Sequence, residues 1–242
     1  MTDDAFSAFG EAAAHQLPPI MVSGRLPVFA SVIGKTVEDV VAKLRPKETE
    51  RLLEIGCGAG LLLRPLAGLV REAVGIDHPA LVKEFSSQRP PQNVTLLAGR
   101  FPGVRPRGTF DSILVYSVMH YLPGEEAARE FIDNCLQLLA PGGRLLIADL
   151  PNHNAWQRYH ASSEGKGHLE AVEARKQATR EQYPEGYKIY AKFTATRFID
   201  DAFVIRVLTD LRGHGYETYL LPQHPAMPNC MTREDILIRR RA

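Results

Sequence analysis

The run LLEIGCGAG at residues 52–60 limits the fold more than any other stretch, because a short apolar segment ends abruptly in three glycines. Leu52, Leu53 and Ile55 read as a buried strand, and Gly56, Gly58 and Gly60 follow at once. Glycine takes positive φ without penalty and lets other atoms approach the backbone where a side chain would collide. A strand that leaves through such a loop into a helix carries backbone N–H groups to the C-terminal edge of a sheet. Open α/β sheets bind their ligands at that edge. A packing turn accounts for one of these glycines, two at most, so the loop predicts a ligand against the backbone.

The surrounding chain predicts a parallel sheet. Apolar strands at 51–55, 72–77, 93–99, 110–117 and 142–150 alternate with helices at 60–70, 79–88 and 125–140. Such alternation, with strands apolar on both faces, specifies a doubly wound sheet covered on both sides. Upstream, Val37, Val40, Val41 and Leu44 make a helical stripe that Arg45-Pro46 stops. Downstream the regularity fails. Residues 151–199 are polar, with a charged helix expected at 169–182, and 200–215 form an amphipathic helix. Stretches 216–223 and 234–241 then read as strands joined by the tight, proline-rich HPAMPN. The expected architecture is an open, doubly wound, mostly parallel seven-stranded α/β sheet with a C-terminal antiparallel hairpin and a helical cap. In this division 1–45 form an N-terminal arm, 46–150 the ligand-binding core, 151–199 a lid insertion, and 200–242 the helix and hairpin that complete the core.

The spacing of the glycines selects the ligand. A dinucleotide fingerprint is GxGxxG, but here Leu61 stands where its third glycine belongs, and the pattern is GxGxG preceded by Glu54. This stretch resembles motif I of the class I S-adenosylmethionine-dependent methyltransferases. Later segments resemble further motifs of that family in order: Asp77 in GIDHP, FDSILVYSVMHYL (110–122) and LLAPGGRLLIADLP (138–151), in which a prolyl-glycyl-glycine turn is expected to end the helix. The resemblance covers roughly 48–150 and implies S-adenosyl-L-methionine as cofactor. It implies that Gly56, Gly58 and Gly60, with Cys57 among them, border the methionine portion and ribose. By the same resemblance Asp77 accepts from the ribose hydroxyls, and Glu54 orders the loop or, through water, meets the cofactor's amino group. Tyr116 and Ser117 would lie beside the transferred methyl, and His78 would touch adenine or pack. The family usually has an acid after the third strand to accept from the adenine amino group; this chain has Gly99-Arg100, then Phe101. Arginine has only donors, so Phe101 would cover the adenine and a carbonyl would replace the acid. The departure keeps a second reading open, a scaffold with the fold and no transfer.

For the acceptor, composition excludes more than it selects. Hydrophobic residues are 45%, charged residues 24% and the formal charge +1, so nothing electrostatic favours nucleic acid or an anionic membrane. No apolar run has membrane length, and the acidic N-terminus lacks the basic start of a signal peptide. Three distant cysteines without a CxxC fit a reduced, cytoplasmic protein. A small-molecule acceptor is expected, a carbohydrate or secondary metabolite methylated on oxygen ahead of nitrogen or carbon. An oxygen nucleophile calls for a general base, and His120 or His153, just past strands four and five, are the candidates. Asp149 and His153 could supply two metal ligands, but no compact motif adds a third, so no metal is expected. Aromatics in the cap (Phe29, Trp156, Tyr159, Tyr190) suit an enclosed small-molecule site or equally a homodimer contact.

Overall fold

The computed structural model describes residues 3–15, 17–193 and 196–242. Helices α1 (Asp3–Ala14) and α2 (Pro19–Val22) lead through a 3-10 turn at Pro27–Val32 into α3 (Ile33–Leu44). The alternating section follows as β1 (Arg51–Ile55), α4 (Leu63–Ala67), β2 (Glu72–Asp77), α5 (Pro79–Ser87), β3 (Val94–Ala98), β4 (Phe110–Tyr116), α6 (Glu125–Gln137) and β5 (Leu139–Pro151). Helices α7 (His153–Ala161), α8 (Ser163–Gln182) and α9 (Pro184–Tyr190) interrupt it before α10 (Asp201–Gly213), β6 (Glu217–Pro222) and β7 (Arg233–Arg239) close the chain.

The strands form one seven-stranded sheet in the order β3-β2-β1-β4-β5-β7-β6, with β7 antiparallel to both neighbours and the other pairings parallel. The order reverses between β1 and β4, which opens a crevice beyond their C-terminal ends. Alternation along each strand feeds two cores. Leu53, Ile55, Val74 and Ile113 join α6 and α10 on one face, through Phe131, Phe203 and Val207. Leu52, Ala73 and Leu114 join α3, α4 and α5 on the other, through Val40, Leu63 and Phe85. Each such large side chain contributes roughly 1.5–3 kcal/mol on burial, which holds the crevice's strand ends in fixed register.

Four local expectations change. The helix expected from residue 60 begins only at Leu63, because Gly58 and Gly60 both sit at positive φ and no helix can start there. The prolyl-glycyl-glycine segment does not end a helix: α6 stops at Gln137, and Leu139 already pairs with Phe110. Gly142, at φ 74°, helps form a bulge across which the register moves to Ser112 opposite Arg144. The charged helix starts earlier, at Ser163, where the Ser162 side chain accepts from the Gly165 N–H. Finally, the β6–β7 connection is not tight; it runs from 223 to 232 and folds Gln223, Met227 and Asn229 toward the C-terminal edge of the sheet.

Candidate active site

The glycine loop joins β1 to α4, and its three glycines do different work. A Cβ at Gly56 would lie 2.4 Å from Val118 Cγ2, and one at Gly60 would fall 2.3 Å from the Phe85 ring. Both positions are demanded by packing. At Gly58 the nearest atom is Ser23 Oγ, 3.3 Å away, and the loop opens there onto a cavity of about 540 Å³. Glu54, Gly56, Cys57, Gly58 and Asp77 line that cavity, whereas Gly60 does not.

Asp77 ends β2 with its carboxylate tied to the loop: Gly58 N–H donates to Oδ2 and His78 N–H to Oδ1, each at 2.6 Å. Burial, partly offset by these donors, pushes its pKa up to about 6. Glu54 is 2% exposed, and its Oε2 has no hydrogen-bond partner. Burial and the neighbouring Asp77 charge hold its pKa well above the usual carboxylate range, with Arg25 opposing. A buried acceptor left in this state costs about 1–3 kcal/mol, so the site is complete only when a donor meets it.

Asp77 and Gly56 also border a narrower cavity of about 370 Å³ walled by Ile55, Ile76, Gly99, Phe101, Val118 and Phe131. This is an apolar slot suited to a flat ring. Arg100 stands at its rim with its guanidinium 4.6 Å from the centre of the Phe6 ring on α1. The cation where the family usually has an acid therefore fastens the N-terminal helix across the slot. His78 lines neither cavity. Its Nδ1 accepts from the Ala80 N–H at the start of α5, and its ring packs on Phe6 beneath Gly10.

Beyond Tyr116 the crevice widens into an inner cavity of about 690 Å³ lined by Arg25, Tyr116, Ser117, His120, Asp149, Gln223 and Arg233. Ser117 and Asp149 are non-glycine residues at φ 58° and 62°. Each such conformation costs roughly 1–3 kcal/mol and persists only where the surroundings hold it. Here Ser117 Oγ donates to Asp149 Oδ2 and accepts from Arg25 Nη2, 2.6 Å away. Arg233 Nη1 lies 2.8 Å from Asp149 Oδ2 and also donates to its backbone carbonyl. Gln223 donates to Oδ1, and the Asp149 N–H donates to Asp235, itself paired with Lys43. Burial alone would raise the Asp149 pKa, but Arg233, Arg25 and the Ser117 hydrogen bond bring it below the usual value. Arg25, Tyr116 and Ser117 line both the inner cavity and the glycine-loop cavity, so the two meet at the end of β4.

His120 is 4% exposed and its Nδ1 has no partner. Burial, reinforced by Arg233 and Arg25 and opposed by Asp149, lowers its pKa to about 3. His153 opens α7 and lines a different, outer cavity with Trp156 and Arg197. The two histidines are therefore not brought together, and neither are Asp149 and His153. Among the described residues no three His, Cys, Asp or Glu side chains form a metal-sized cluster, and no helix is long and apolar enough to cross a membrane. Arg25, Gln223 and Arg233 were not expected at the site: they lie far apart along the chain, and only the fold gathers them.

Comparison with known proteins finds a family match over part of the chain. Residues 53–145 match the methyltransferase domain family. The chain is 30% identical over 151 residues to the ubiquinone biosynthesis O-methyltransferase of Bradyrhizobium sp. (strain ORS 278), covering 61% of this chain and 56% of that protein. It is 35% identical over 134 residues to the chondramide synthase cmdD of Chondromyces crocatus, covering 52% of this chain but 3% of the synthase. The chain thus spans little more than half of the first relative and a small part of the second. Among solved structures, a DhpI-SAM-HEP complex aligns over 99% of both chains with a TM-score of 0.63 at 14% identity. The N-methyltransferase NodS from Bradyrhizobium japonicum WM9, in complex with S-adenosyl-L-homocysteine, aligns over 98% of this chain and 99% of its own, also at 0.63, with 18% identity. At these identities the likeness is one of fold.

Proposed function

Since the chain belongs to the class I, Rossmann-like methyltransferases, we propose that it carries a methyl group from S-adenosylmethionine to a hydroxyl of a small molecule. The observation that carries this reading is Glu54 Oε2, a buried acceptor without a partner, on a cavity whose other walls are the glycine loop and Asp77. The residues present fit the cofactor. Glu54 offers an acceptor to an ammonium, Arg25 at the cavity junction offers donors to a carboxylate, and Asp77 keeps free lone pairs for ribose hydroxyls. Phe101, Ile76 and Val118 offer the faces of an adenine slot. When bound, the cofactor supplies an electrophilic methyl on a sulfonium. The protein's part is to align a nucleophile with it and exclude water.

In this reading the acceptor enters the inner cavity and its hydroxyl meets His120, whose partnerless Nδ1 takes the proton. An imidazole that charges only near pH 3 in the free protein is a weak base. That single observation favours the second reading, an acceptor amine that is already neutral and needs only alignment. The helices α7 to α9, with α1 and α2, serve as a lid: α1 packs against α5 and α9 across the cofactor slot. Hydrogen exchange at 160–185 is expected to slow when both ligands bind; protection equal to that of β1 and β4 in the free protein would count for a fixed contact instead. Calorimetry with S-adenosylhomocysteine and NADH tests the cofactor. Binding of NADH alone would sink the reading.

A further inference from the structure

The outer cavity, about 1010 Å³, shares Arg233 and Asn229 with the inner one, so these two side chains stand between them. Its remaining wall comes from Asn152, His153, Trp156, Arg197 and Thr232, with Pro151 and Thr196 at the edge. Two guanidinium groups line it, and no acidic residue does among the described residues. The carboxylates nearby are committed elsewhere. Asp201 is held by Arg158 and by the Asn152 amide, and Glu234 accepts from that same amide at 2.8 Å. Asp149 is already shared among Ser117, Gln223, Arg25 and Arg233.

Arg233 spends one nitrogen, Nη1, on Asp149, which leaves the rest of its donor fork to the cavities it separates. Arg197 is exposed, and no hydrogen bond or ion pair engages its guanidinium among the described residues. At the mouth Trp156 is 45% exposed, its ring parallel to that of His153. One guanidinium without a counter-ion and a second with donors beyond those it gives Asp149, beside a flat aromatic ledge, suit an oxyanion on a planar body.

We propose that the outer cavity is an anion subsite for the methyl acceptor: Arg197 and Arg233 take its carboxylate or similar oxyanion, and Trp156 supports its planar part. Anchored there, an acceptor reaches past Arg233 and Asn229 into the inner cavity with its nucleophile leading. The inference rests on the methyltransferase reading for the direction of entry, but the subsite itself can be measured alone.

The test is calorimetric titration of benzoate into the full chain, with and without saturating S-adenosylhomocysteine, using benzamide as the neutral isostere. Benzoate is expected to bind and benzamide to bind at least about tenfold more weakly. Arg197→Gln, at an exposed position, is expected to keep the fold and S-adenosylhomocysteine affinity while weakening benzoate about tenfold. Arg233→Gln should also weaken benzoate, and Arg233→Lys should recover part of the loss. Equal binding of benzoate and benzamide, or unchanged benzoate affinity in Arg197→Gln, overturns the proposal. S-adenosylhomocysteine binding without benzoate binding overturns the subsite alone. Benzoate binding that depends on Arg197, without S-adenosylhomocysteine binding, supports the subsite and overturns the reading it rests on.

Discussion

Two carboxylates stand at neighbouring points of the crevice and are shifted in opposite directions. Asp77, at the proposed nucleotide end, meets only backbone N–H groups, and burial wins: its pKa rises to about 6. Asp149, at the proposed acceptor end, meets two guanidinium groups, and attraction wins: its pKa falls. The contrast extends to construction. The nucleotide end is built from one loop and the next strand tip, with glycine wherever the backbone turns. The acceptor end is built from separated segments around Arg25, Ser117, Asp149, Gln223 and Arg233, with two strained non-glycine residues at its centre. A site held by backbone geometry tolerates little change in shape; a site held by charges tolerates little change in charge.

The largest effect should come from Asp149→Ala. It leaves two half-buried arginines without the carboxylate they share and should cost about 3–5 kcal/mol in urea unfolding. A loss below about 1 kcal/mol would show that the acceptor end is not held by its charges. Because the Asp149 pKa is lowered in the folded state, its contribution is present above the ordinary carboxylate value and lost as pH falls through the folded one. Asp77 has the opposite sign. Its raised pKa favours folding fully at low pH, and that advantage is lost as pH rises through about 6.

Next in size, Asp77→Ala should weaken S-adenosylhomocysteine by on the order of 2–4 kcal/mol in calorimetry, with the fold intact. In the wild type, affinity should climb as pH rises through about 6, where the carboxylate ionises, and level off above. A flat pH profile would mean that the ribose is not read by this acid. His120→Ala should slow single-turnover transfer to a hydroxyl acceptor roughly a hundredfold while cofactor affinity holds. An unchanged rate would move the protein to the amine reading.

The smallest and sharpest comparison is within the loop. Gly60→Ala should destabilise by roughly 2–3 kcal/mol, since its Cβ meets the Phe85 ring, and leave the remaining folded protein able to bind S-adenosylhomocysteine. Gly58→Ala should cost about 1 kcal/mol from its positive φ, yet weaken binding more than Gly60→Ala, because it faces the cavity. If both variants lose binding equally, the division between packing and ligand glycines fails.

The sequence by itself determined the framework of the glycine-loop end. Strand, glycine loop, helix and the acid at the next strand tip lie within residues 52–77, and a short continuous apolar run bounded by glycines is a local code. It also determined the sheet, because apolar strands alternating with amphipathic helices leave few ways to bury both faces. It did not reveal that Gly60 serves Phe85, a contact between an α5 side chain and a loop 25 residues earlier in the chain. Nor did it reveal the acceptor end. Asp149 looked like a residue near the end of an ordinary strand, yet a bulge opposite β7 turns it to φ 62°, a backbone state no local signal announces for an aspartate. Arg25, Gln223 and Arg233 lie far apart along the chain and converge only because β7 inserts beside β5 and carries its preceding loop over the strand ends. Local patterns specify elements through propensity and burial; which distant charges face one another is decided only when the elements pack.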